Sequence, residues 1–321
     1  MKNRFEIIGA GIYLPPKIET SKELSNKLNK SEEWIISRTG VLERRISDVD
    51  VDVMGAIAGQ EAIGDNESPE LIINASGVPK QVLPDTSVFI QRELNLDGIP
   101  SFSVHSTCLS FITALNIASS LISGKQYSRI LIVSADRGSK GRNFKEPESA
   151  SLLGDAAAAI YLSKTSKNKG LLSYSMETYP KGAELTEVRG GGTNLHPEDP
   201  KTLPEDNLFT MSGPKVFRMA FQKVYEKINT DISTNKLSHG MIDLLIPHQA
   251  SIKAIKAYSK YGGFSKKQVM NILPETGNCV AASIPLALAM AYKDKKINNN
   301  SIVYLIGTGA GLSIASAIIR I

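Results

Sequence analysis

Cysteine is scarce in this chain: there are two in 321 residues, Cys108 and Cys279. Two cysteines exclude a disulfide framework, and no C-x-x-C spacing offers a zinc site, so no metal is expected. Tryptophan occurs once, as Trp34, and aromatic residues make up 6% of the sequence. No run of about 18 uncharged apolar residues is present, so no membrane span is expected. The opening residues do not read as an apolar signal segment either. Neither sign of charge dominates, with 37 Lys and Arg against 32 Asp and Glu and a net charge of +5. The basic residues are scattered among acids, which excludes a dedicated nucleic-acid arm and leaves room for a local basic patch. The expectation is a soluble, reduced, cytoplasmic protein.

What is present is an ordinary globular composition, 42% hydrophobic and 21% charged, enough for a full core. Segments of strand type alternate with segments of helical period, which argues an α/β architecture with buried sheets. Strands are expected near 5–11, 70–75, 99–104, 129–135 and 156–162 in the first half. In the second half they are expected near 171–178, 243–246, 269–273, 302–306 and 313–319. The polar stretch 164–170 divides the chain into halves of 1–164 and 165–321. Gly9-Ala10-Gly11 lacks the third glycine of a dinucleotide fingerprint, and Pro15-Pro16 sits where its helix should begin.

One stretch organises the first half. The strand ending near Val104 runs into Ser106-Thr107-Cys108, and Phe111, Ala114, Leu115 and Ala118 then recur at helical spacing. Ser106 and Thr107 stand where a helix cap belongs. Cys108 is thereby placed at a helix N-terminus, where free N–H groups and the macrodipole favour a thiolate. The second half repeats the pattern. A helix opening at Pro84, a strand and Cys108 are answered by Pro247-His248, a helix, a strand and Asn278-Cys279. In such a duplicate, Cys108, His248 and Asn278 come from matching sheet ends and converge. Cys, His and Asn form a workable set for acyl chemistry, a thiolate nucleophile with two hydrogen-bonding partners. Taken singly, His248 also reads as a core histidine and Asn278 as a turn residue.

These residues, taken in order, resemble β-ketoacyl-acyl-carrier-protein synthase III of the thiolase superfamily. The resemblance covers nearly the whole chain. It rests on Glu33-Trp34-Ile35 with Arg38-Thr39-Gly40, the Cys108 helix, Gly154-Asp155 and Pro247-His248-Gln249-Ala250. Gly277-Asn278, Ala281-Ala282-Ser283-Ile284-Pro285 and the turn Gly309-Ala310-Gly311 complete it. It implies a thiolase-like five-layer αβαβα fold from two duplicated halves, usually a homodimer. It implies no permanently bound cofactor; acyl-CoA or acyl-carrier protein and malonyl-carrier protein are the substrates. Cys108 takes the acyl group, and a decarboxylative Claisen condensation follows, as in fatty-acid initiation or a related pathway. His248 and Asn278 hold the malonyl thioester carbonyl, and the N–H groups of Cys108 and Ala310 form the oxyanion hole.

The resemblance also implies a nucleotide end at Trp34 and Arg38, a pantetheine contact at Ser251, and carrier-protein docking on Arg218, Lys253, Lys256 and Lys260. Lys253, Lys256 and Lys260 share a helix face by spacing alone. Departures from the family pattern are Leu109-Ser110 after the nucleophile, where Ala-Gly is frequent, and Ser251 in the place of an asparagine. The family's second adenine-stacking arginine has no counterpart at Pro147, and Arg142 and Lys145 are the nearby candidates. The alternative is a specialised acyltransferase or condensing enzyme of the superfamily acting without malonyl decarboxylation.

Overall fold

Ala156-Ala157-Ala158-Ala159 lies fully buried within the strand Asp155–Lys164, and small side chains on both faces let helices approach from both sides. The computed structural model describes residues 4–321, and this strand is an inner one of a five-stranded sheet. Its order is Phe5–Tyr13, Asp155–Lys164, Arg129–Arg137, Leu71–Asn74 and Ser101–Ser103. Leu71–Asn74 runs parallel to both of its neighbours, and the remaining pairs are antiparallel. A four-stranded sheet follows with the order Leu244–Pro247, Ile302–Gly309, Ser313–Arg320 and Gly170–Thr178. Here one parallel pair is followed by two antiparallel pairs, where the first sheet has two of each. The duplication expected from the sequence is therefore present at the level of sheet topology.

The copies differ at one edge. Where Ser101–Ser103 completes the first sheet, the second has a single parallel bridge, Leu245 to Val269. The strand expected over 269–273 does not form, because Leu273–Thr276 coils into a short helix with Pro274 in its first turn. Proline there costs the helix nothing, since its missing N–H would have no partner in any case.

Helices make three layers around the two sheets. Val51–Ile63 and Thr86–Glu93 cover the outer face of the first sheet, packing on Ile72, Leu131, Val133 and Ala157. Gly9 and Gly11 permit this approach: a Cβ at either would stand about 2 Å from the Ala62 or Ala58 carbonyl oxygen. That pair of glycines serves close helix–strand packing, and the strand runs on through Tyr13 with no phosphate loop. Ser110–Ser123 and Ser283–Lys293 form the middle layer, and their apolar residues pack in one core with both sheets. Gly213–Thr234 and Ile252–Lys260 cover the outer face of the second sheet. The result is a five-layer αβαβα fold. No helix among the described residues is long and apolar enough to cross a membrane.

Candidate active site

The site is assembled where strands of both sheets end and the middle-layer helices begin. Thr107 precedes the nucleophile position with φ +51°, a left-handed conformation that a β-branched residue enters at a cost of about 1–3 kcal/mol. Its carbonyl accepts the Ser110 N–H at 3.1 Å and the Ser110 hydroxyl at 2.7 Å. Ser110 Oγ in turn accepts the Ser106 N–H at 2.9 Å. Ser106 and Thr107 therefore do not cap the helix through their side chains. Leu109 occupies the cap position, and Thr107 Oγ1 is buried without a partner.

Cys108 Sγ lies within hydrogen-bonding reach of two backbone N–H groups, its own and that of Ala310. These donors stabilise negative sulfur, yet they lose to burial, and the charge of Asp136 adds to the opposition. The thiol is pushed up to about 12. The thiolate expected from a helix N-terminus is thus absent at rest, because desolvation outweighs the dipole. Cys279 is fully buried, donates to the Thr276 carbonyl at 3.4 Å, and is also held as a thiol.

His248 follows the strand Leu244–Pro247 and lies beside Gly307. A Cβ on Gly307 would stand 2.8 Å from His248 Cβ and 3.1 Å from Leu109 Cδ2. The next glycine, Gly309, packs in the same way on Thr107 Oγ1. The Ile302–Gly309 strand end thereby joins the His248 loop to the two residues flanking Cys108. The imidazole is buried, its Nδ1 has no partner, and burial lowers it to about 4, so the ring is neutral. Asn278 follows Gly277, whose φ of +67° suits the turn. Its backbone bonds to the Leu152–Gly154 segment, N–H to the Leu152 carbonyl at 2.8 Å and carbonyl from the Gly154 N–H at 3.0 Å. Its side-chain oxygen accepts the Val280 N–H at 2.9 Å.

A cleft of about 640 Å³ leads to this assembly between the helices Gly213–Thr234 and Ile252–Lys260. His248 and Thr308 line it, together with Arg38, Ser251, Phe217, Arg218 and Lys253. Cys108 and Asn278 are not on its wall; Cys108 meets it through the 307–310 turn, and Asn278 through Leu152, another lining residue. Ser251 caps the 252–260 helix, its hydroxyl accepting the Ala254 N–H at 3.3 Å. Lys253, Lys256, Lys260 and Arg218 are all exposed, and only Lys253 and Arg218 of the four line the cleft. None of them forms an ion pair among the described residues.

Three sequence candidates are placed differently from expectation. Trp34 packs on Leu24, Leu28, Ile35 and Ala150, with the cations of Lys30 and Arg38 within 6 Å of its ring centre, and does not line the cleft. Arg142 is buried in an ion pair with Glu19 at 2.5 Å and donates to the Leu153 carbonyl, so it is not free to stack on a ligand. Lys145 pairs with Glu205. His105 is exposed and bonds the Gly77 carbonyl at 3.0 Å. The residue missed altogether is Asp136, whose charge acts on Cys108.

Two duplicated halves, a five-layer fold and a cysteine at the head of the middle layer define a thiolase-like condensing enzyme of the acyltransferase class. Residues 102–180 match the family model for 3-oxoacyl-[acyl-carrier-protein (ACP)] synthase III, and residues 232–321 match the model for its C-terminal part. The chain is 32% identical to the β-ketoacyl-[acyl-carrier-protein] synthase III of Rickettsia rickettsii, covering 98% of this chain and 99% of the relative. It is 33% identical to the same enzyme of Pseudoalteromonas atlantica, covering 98% of each. The crystal structure of 3-oxoacyl-[acyl-carrier-protein] synthase III from Aquifex aeolicus superposes with a TM-score of 0.90 at 27% identity, covering 99% of this chain and 100% of the other. The chain belongs to the β-ketoacyl-acyl-carrier-protein synthase III family.

Proposed function

We propose that the chain condenses an acyl group carried on Cys108 with a malonyl thioester. The observation that supports this most is the pair of N–H groups, from Cys108 and Ala310, meeting at Sγ. Two donors aimed at one point beside a nucleophile suit the oxyanion of an acyl-transfer intermediate, where loss of one typically costs ~2.7–4 kcal/mol of barrier. In the first half-reaction Sγ attacks the donor thioester carbonyl. The donor C–S bond breaks, and the Cys108 proton passes to the departing sulfur by way of the neutral His248 imidazole. In the second, the malonyl C–C bond breaks to release CO₂, and its electron pair forms an enolate. His248 and the Asn278 amide hold the enolate oxygen. Its carbon attacks the acyl-Cys108 carbonyl, and Cys108 leaves as thiolate and takes up a proton. A neutral imidazole fits both steps, as acceptor in one and donor in the other.

The cleft suits an extended pantetheine arm, with Phe217 and Ser251 along it and Arg38, Arg218 and Lys253 for anionic groups. An acyl carrier protein is the partner this basic rim suits, and acyl-CoA or an acyl-carrier protein the donor. No permanently bound cofactor enters the scheme. A homodimer is supported by the free edge of Ser101–Ser103, which carries the exposed Phe102, an edge of the kind that pairing covers. The site residues give the alternative, acyl transfer without decarboxylation, no separate support. The test is mass spectrometry of Cys108 after incubation with a panel of acyl thioesters, followed by release of labelled CO₂ from malonyl-carrier. An acyl-Cys108 adduct with no CO₂ release overturns the condensation, and no adduct overturns the nucleophile.

A further inference from the structure

Asp136 lies next to last in the strand Arg129–Arg137 and is fully buried. It has no cationic partner among the described residues; four backbone amides surround it instead. Oδ1 accepts the N–H of Gly77 at 2.9 Å and of Val78 at 3.0 Å, and Oδ2 accepts the Ala282 N–H at 3.1 Å. The Ala281 N–H is the fourth donor. The carboxylate therefore ties the loop after Leu71–Asn74 to the turn that follows Asn278. Burying a carboxylate without a counter-ion is costly even when it is hydrogen-bonded, and burial raises this one to about 7.

The turn it holds is strained. Val280 has φ +50°, and in a β-branched residue that is an outlier. Its N–H is held by Asn278 Oδ1, and the two amides after it are held by Asp136. On its other flank, Val280 Cγ1 stands 2.5 Å from where a Cβ on Gly77 would lie, so Gly77 must be glycine for the loop and turn to meet. Asn278, Val280 and Asp136 form one unit. If the turn relaxes, the Asn278 carboxamide loses its anchor.

We infer that Asp136 is a positioning residue, fixing the orientation of the Asn278 carboxamide through the strained Val280 turn. The inference rests on the proposed function, since it assigns Asp136 to the malonyl half-reaction rather than to acylation. Asn at 136 keeps the size and presents one accepting oxygen, where the carboxylate shares four donors between two. Asp136→Asn is expected to slow CO₂ release roughly ten-fold or more, part of the ~10²–10³ that outright loss of a donor costs. Acylation of Cys108 should not slow, and should quicken to the extent that losing the Asp136 charge favours the thiolate. Glycine accepts positive φ without strain, so adding Val280→Gly to the Asp136→Asn chain should restore most of the CO₂ release.

Both half-reactions are measured on wild-type enzyme, each single variant and the double variant. Equal loss of both half-reactions in Asp136→Asn, or no recovery in the double variant, overturns the inference. Should Asp136→Asn fail to fold, Gly77→Ala pushes the same turn from the other side with the carboxylate intact. It must produce the same split, and equal loss of both half-reactions there also overturns the inference. Wild-type enzyme that neither acylates Cys108 nor releases CO₂ overturns the proposed function itself, which separates the two failures.

Discussion

His248 donates its backbone N–H to the Ile306 carbonyl at 2.8 Å, so the imidazole is carried by the register between two parallel strands. The residue inherits its place from Pro247 opposite Ile306, and the neighbouring Gly307 leaves room for its Cβ. Gly307→Ala should therefore displace the imidazole or Leu109. Overpacking of this kind costs about 1–3 kcal/mol of stability. Turnover should fall further than that destabilisation alone explains. Steady-state rates beside urea midpoints check this, and an unchanged rate in a destabilised protein would contradict it.

Because Cys108 is a thiol up to about 12, its alkylation should follow hydroxide concentration. The logarithm of the iodoacetamide rate is expected to climb steadily from pH 7 to pH 10 without levelling. Cys279, fully buried, should stay unmodified in the folded protein. A plateau near pH 8, read by mass spectrometry of the Cys108 peptide, would mean that the thiolate forms at rest after all.

His248 and Asp136 pull stability in opposite directions with pH. The imidazole is lowered from 6.5 to about 4, so the unfolded chain takes up a proton that the folded chain refuses. Its contribution is full above 6.5 and lost as pH falls toward 4, a span on the order of 3 kcal/mol. Asp136 is raised from 3.8 to about 7, so its contribution is full at low pH and lost as pH rises through 7. His248→Gln removes one slope and leaves the other. Between pH 7 and pH 5 the variant should gain stability relative to wild type as the solution is acidified. Urea midpoints at the two pH values test it, and parallel changes in both proteins would sink the idea.

Lys256 and Lys260 are exposed and stand off the cleft wall, whereas Lys253 lines it. Replacing Lys256 and Lys260 by Glu should raise the KM for malonyl-carrier and leave a small malonyl thioester unaffected. Steering of this kind weakens with salt, so the difference should shrink between 50 mM and 500 mM NaCl. Lys253→Glu should affect both substrates. If the double variant treats the two substrates alike, the carrier docks elsewhere.

Much of the fold was legible because burial imposes periodicity. The alternation of strands and helices, and the placement of Cys108 and His248 after strands, follow from apolar spacing; Asn278, expected after a strand, instead follows the short helix Leu273–Thr276. What was hidden lay in backbone conformation. Nothing about Thr107 or Val280 as residue types announces positive φ, since β-branched residues ordinarily avoid it. Likewise Leu245 and Val269 make one bridge where a strand was expected, because the chain turns helical before a second can form. Asp136 is hidden for a different reason: the β-type run of apolar residues ends at Ala135, one residue short of it. A single acid at the end of an otherwise apolar strand was the available signal. Charge balance was equally opaque, because the burial that defeats the helix dipole at Cys108 comes from residues distant in sequence.

The middle layer sets a schedule for making the enzyme. Cys108 needs the amide of Ala310, some 200 residues further along, and the helix Ser110–Ser123 packs against strands of both sheets. At a synthesis rate of about 5–20 residues per second, the nucleophile waits roughly 10–40 s for its partner. During that interval one whole side of the nascent first sheet, and the helix laid on it, is an oily surface with nothing yet made to cover it. The newborn chain thus carries exposed apolar surface before it is an enzyme, and ribosome pausing between the two halves should raise the share that aggregates.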